Sequence, residues 1–98
     1  MSQIQAVGWF FYKDEAQYNE FLSVFTDANR LPTTFSRWEQ LTNKGIQEHE
    51  SSGVIVVRAY AESTTEFIEF CRHHSLSLDA KGRTRFASFK AAQQLARK

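Results

Sequence analysis

Two stretches of the chain are apolar almost without interruption, and between and beyond them apolar residues recur every three or four positions. Ile4 to Tyr12, IQAVGWFFY, is rich in aromatic and β-branched residues and predicts a strand. Ile4, Ala6 and Phe10 fall on one side of it, Val7, Trp9 and Phe11 on the other. Neither side is polar, so both need covering. Val54 to Ala61, VIVVRAYA, predicts a second and stronger strand, also apolar on both faces apart from Arg58.

The helical period governs the rest. Tyr18, Phe21, Leu22, Phe25 and Ala28 form one stripe and predict a helix over residues 14–28, with Asp14 and Glu15 at its positive end. Pro32 stops it. Phe35, Trp38 and Leu41 predict a second helix over residues 34–47, with Pro32 and the hydroxyls of Thr33, Thr34 and Ser36 as start signals, Ser36 and Glu39 also spaced as a capping box, and Gly45 weakening its end. Ser63 and Glu66 have the same spacing and open a third helix, in which Phe67, Ile68 and Cys71 share a stripe. Asp79 caps a fourth, whose firm part begins at Thr84 because Gly82 sits in its first turn.

The order is β-α-α-β-α-α, an α/β (α+β) domain with a two-stranded sheet covered by four helices. Two strands make a marginal sheet. Both have unpaired edges, so the expectation is a homodimer that joins them into a larger sheet, with exchange of an element as one route. Ninety-eight residues make one compact domain. Fourteen aromatic residues exclude a disordered chain, and a single cysteine excludes an internal disulfide. No secretion signal or membrane span is evident, which predicts a cytoplasmic protein without membrane partners.

Charge changes the picture most. Residues 1–80 carry six Lys and Arg against eleven Asp and Glu, a net of −5; residues 81–98 carry six bases and no acid. Arg83, Lys90 and Arg97 recur every seven residues and share one side of a helix, and Phe86, Phe89, Ala92 and Ala96 share the adjoining side. The Phe side would dock and the basic side would face water. Lys81, Arg83 and Arg85 crowd the helix start, where a phosphate would relieve their conflict with the dipole. This pattern predicts DNA or RNA binding with weak sequence preference, through Lys81, Arg83, Arg85, Lys90, Arg97 and Lys98. The opposing expectation is equally physical. The basic helix clasps acids of its own body, of its twin or of a partner, and the chain is a protein-interaction or accessory module.

Other chemistry is thinner. Cys71 and His74 have the spacing of a thiolate–imidazole pair, but Cys71 also completes an apolar stripe. Cys71, His73, His74 and a distant His49 fall short of a zinc set. Glu62, Glu66 and Glu69 line one helix face, an acidic stripe that could receive the basic segment. Trp9, Phe10, Phe11 and Tyr60 could stack on bases, although core packing serves them better. No Gly-rich loop follows a strand, so no nucleotide cofactor or small-molecule substrate is implied. The expectation is a protein without catalytic activity, metal or cofactor.

Four blocks, LPTTFSRW (31–38), VIVVRAY (54–60), EFIEFC (66–71) and LDAKGRTRFA (78–87), cover about a third of the chain. Their order and spacing resemble a family of small proteobacterial proteins with no assigned activity. The chain departs from that pattern at ESTTEF, where an acidic or Pro-containing helix start is usual, and at Phe70, where Trp is usual. The resemblance implies a bacterial protein in one compact domain, with a plasmid as one setting for its gene. No residue role follows from it.

Overall fold

The computed structural model describes residues 5–96. Its elements are β1 (Gln5–Phe11), α1 (Glu15–Leu22), a 3-10 turn (Ala28–Arg30), α2 (Phe35–Ser51), β2 (Val54–Tyr60), α3 (Thr64–His73) and α4 (Ala80–Ala96). The α+β class and the β-α-α-β-α-α order agree with the expectation. The two strands pair in parallel, in a register that sets Gln5 beside Val54 and Phe11 beside Tyr60. Parallel strands need a long crossover, which α1 and α2 supply.

Each face of the sheet is covered, as the two-sided apolar pattern requires. Trp9 and Phe11 face α2. The Trp9 ring lies against Gly45, where a Cβ would come within 2.7 Å of the indole, and the Phe11 ring is 5.3 Å from Trp38. The mid-helix glycine that weakened the predicted α2 is therefore a packing device. On the opposite face Phe10 is the hub, its ring 5.3 Å from Phe21, 5.3 Å from Phe67 and 5.5 Å from Phe86. There α4 crosses β1 at Gly8, where a Cβ would stand 2.2 Å from the Ala87 carbonyl oxygen.

Local chemistry sets the ends. Asp14, Thr34 and Ser63 are N-caps, accepting from the amides of Gln17, Arg37 and Glu66. Thr34, one of the three hydroxyl residues expected to start the second helix, is its cap, ahead of the Ser36–Glu39 alternative. The α3 end is a Schellman turn: Leu76 N–H donates to the Cys71 carbonyl at 2.8 Å and Ser75 N–H to the Arg72 carbonyl at 3.3 Å. Ser75 holds φ 55° there, a conformation suited to glycine.

Two helix ends differ from the sequence reading. One is that of α2, which runs on to Ser51, four residues past the expected Gln47. The first helix stops at Leu22, and Phe25 enters the core from the following turn. Thr26 N–H donates to the Leu78 carbonyl at 2.8 Å, tying this segment to the approach to α4. The fourth helix starts at Ala80, directly after the expected Asp79 cap, and is regular through Gly82 rather than firming only at Thr84. That glycine is buried against the Ser77 carbonyl and the Cys71 thiol, a place with no room for a side chain.

Candidate nucleic-acid interface on the closing helix

The orientation of α4 decides what its bases can do. Gly82, Phe86, Ala87 and Ala91 are its buried residues. Phe89 is 46% exposed, and Ala92 and Ala96 are exposed too. The docking side is thus rotated from the expected Phe86–Phe89–Ala92–Ala96 side. Small residues win because Gly8 lets the helix backbone close onto β1 only through Ala87 and Ala91. The rotation carries Arg83 and Lys90 inward.

Arg83 makes a bidentate pair with Asp27, Nη1 to Oδ1 and Nη2 to Oδ2, each at 2.8 Å. The side chains are only 12% and 19% exposed. The guanidinium also lies over the Phe25 ring, 4.5 Å from its centroid. The hydrogen bonds from Arg83 hold the Asp27 carboxyl below its usual range, against the opposing pull of burial. Burial works against the charge on Arg83, but the bonds and charge of Asp27 outweigh it and push its pKa up. This fork-to-fork geometry is the strong form of ion pair.

Lys90 Nζ stands 2.6 Å from Glu66 Oε2. The Glu66 carboxylate also accepts from the Glu62 amide at 2.7 Å. Burial raises the Glu66 pKa, but Lys90 and the Glu62 amide together bring it below its ordinary value. One member of the predicted acidic stripe thus receives one member of the basic run.

The helix start is occupied as well. Asp79 Oδ1 accepts from the amides of Lys81 at 3.0 Å and Gly82 at 3.3 Å. The negative charge that the dipole favours is already supplied from within. Lys81 and Arg85 are exposed and have no ion-pair partner among the described residues. Arg97 and Lys98, the last two candidate phosphate contacts, lie outside the described residues. The six-residue basic site therefore divides into two clamped, two open and two not described.

Elsewhere the chemistry is quiet. Burial raises the Cys71 thiol pKa, with the Asp79 charge adding to it, the wrong direction for a nucleophile. The His74 ring lies tilted against Phe70, with ring centroids 4.4 Å apart. Among the described residues no group of three or more His, Cys, Asp or Glu could hold a metal ion. No helix among them is long and apolar enough to cross a membrane.

Asp27 is the partner of the basic helix that sequence reasoning missed. It lies 56 positions from Arg83 and belongs to no charge pattern around it. The only available signal was the imbalance between an acidic body and a basic end. The chain matches no family model, and no curated protein or solved structure is detectably similar to it.

Proposed function

We propose that the chain is a non-enzymatic protein-interaction module in which the basic helix is an internal clasp, and that its working surface lies elsewhere. The observation that carries this reading is the pairing of Arg83 with Asp27 and of Lys90 with Glu66. Those two bases were to be the centre of a phosphate-binding side. In their pairs they have little capacity left for an external anion, and releasing either would strand a partly buried carboxylate.

The test is DNA affinity of the full chain measured across a range of salt concentrations. Each phosphate neutralised contributes about −0.9 to the log–log slope. On this reading Arg83→Gln and Lys90→Gln leave slope and affinity unchanged and lower stability. Binding that is steeply salt-dependent and is flattened by both substitutions would overturn it.

A second reading keeps nucleic acid as the partner through the outward residues alone. It is favoured by Phe89, which is exposed on the same helix as Lys81 and Arg85 and packs on Phe70 at 5.4 Å. An exposed aromatic ring with flanking bases is a stacking platform for single strands. Phe89→Ala and Arg85→Gln would then each weaken single-strand binding. Unchanged affinity in both would remove this reading.

A further inference from the structure

The two-stranded sheet has two open edges, and they differ. The β1 edge is recessed, facing a cleft of about 210 Å3 whose walls include Leu31, Trp38 and Arg83. Beside the β2 edge lies a groove of about 290 Å3, lined by residues 55–58 of the strand and by Gln94 and Leu95 from the last turn of α4. Ile55 is 47% exposed, Leu95 43% and Tyr60 39%. Three of the five exposed large hydrophobic residues among those described thus border one edge. Natural sheets usually blunt such an edge with several charges, Pro or a bulge. Here Arg58 is the single charge in the strand. A lone bond from Gln94 Nε2 to the Arg58 carbonyl, at 3.3 Å, is the only side-chain hydrogen bond to the strand among the described residues.

We propose that β2 pairs with β2 of a second copy of this chain, antiparallel about a two-fold axis at Val57. This deepens the interaction-module reading and rests on it. The argument is self-complementarity of shape and charge. A two-fold axis requires the joined strands to run antiparallel, and placing it at Val57 uses the whole strand. Val57 then faces the partner's Val57, Val56 faces the partner's Arg58, Ile55 faces the partner's Ala59, and Val54 faces the partner's Tyr60. Arg58 meets an apolar side chain, and Tyr60 with Val54 is a favourable aromatic–β-branched pair. Centring the axis one residue later would set the two Arg58 side chains directly opposite, which like charges disfavour. The net charge of +1 per chain adds little general repulsion. The product is a four-stranded sheet with both α4 helices on one face and with Ile55 and Leu95 covered. Gln94 gives up its bond to the Arg58 carbonyl, which the new ladder replaces.

The full chain is tested by sedimentation equilibrium over rising concentration, beside oxidation of a Val57→Cys variant. The expected mass rises to twice the 11.4 kDa of one chain and stops there. The double variant Ile55→Lys, Leu95→Lys should weaken the dimer at least about tenfold. Cys71 is buried, so Val57→Cys presents the accessible thiol and should form a covalent dimer, while Ser36→Cys on α2 should not. A chain that stays monomeric, a dimer indifferent to both lysines with Val57→Cys uncrosslinked, or a polymer that keeps growing would each overturn the proposal. The clasp is read separately, from stability and DNA affinity. A clasped chain that remains monomeric therefore refutes the second copy alone.

Discussion

Replacing Arg83 with Ala removes a bidentate ion pair and a cation–π contact in one step. Two unit charges about 4 Å apart interact by roughly 4 kcal/mol at an effective dielectric of about 20, before desolvation is charged against them. Breaking a fully buried pair costs about 3–5 kcal/mol. Asp27 keeps some water contact, being 19% exposed, so its loss of partner should cost about 2 kcal/mol. The contact with Phe25 adds about 1 kcal/mol. The expected total is about 3 kcal/mol, or a fall in Tm of about 12–24 °C for a domain of this size. Asp27→Asn alone should cost about 2 kcal/mol. Urea unfolding of both single variants and the double variant gives the coupling energy, expected near 2 kcal/mol. A coupling below about 0.5 kcal/mol would show that the pair contributes no more than an ordinary surface bridge, and the clasp would fail.

Other consequences follow from neighbouring contacts. Asp27 and Glu66 have folded pKa values below their unfolded ones, so their stabilisation is complete above the unfolded values and is lost as pH falls through the folded ones. Asp27→Asn with Glu66→Gln should therefore flatten the acid limb of the stability profile, and an unchanged limb would contradict the assignment. Gly8→Ala forces a methyl against the Ala87 carbonyl and should cost about 2 kcal/mol or more, read by thermal unfolding; a neutral result would mean that α4 does not cross there. Ser75→Gly relieves a left-handed residue at the α3 end and should stabilise by about 1 kcal/mol, whereas destabilisation would contradict the Schellman turn. Cys71 should resist alkylation until the chain unfolds, and rapid labelling of the native protein would show that its site is open.

Element type was legible where the period was long and unbroken. Both strands and all four helices lie where the apolar spacing puts them. The lapses have local causes. The stripe from Tyr18 through Phe25 marked buried residues correctly, yet the helix ends at Leu22 because Thr26 is held by the Leu78 carbonyl, a contact across 52 residues. Helix propensity marked Gly82 as a weak point in the first turn of α4, and tertiary packing against Cys71 makes that turn firm. The candidate site was legible in composition and not in orientation. Arg83, Lys90 and Phe86 were rightly grouped on one helix. Which side turns inward was set by Gly8 on β1 and by Ala87 and Ala91, none of which carries charge. A helical wheel shows which residues share a face, and only a neighbouring element shows which face is covered.

The central claim is that Arg83 and Lys90 point into the fold while Arg85 points out. The most direct measurement is the nitrogen-15 NMR of the guanidinium groups, with and without added single-stranded DNA. Fork-held Arg83 should show resolved, slowly exchanging Nη protons that do not shift on addition of DNA, beside fast-exchanging, averaged signals from Arg85. Averaged Arg83 signals like those of Arg85, moving together with them as DNA is added, would mean that the guanidinium is free and that the basic helix serves a partner outside the fold.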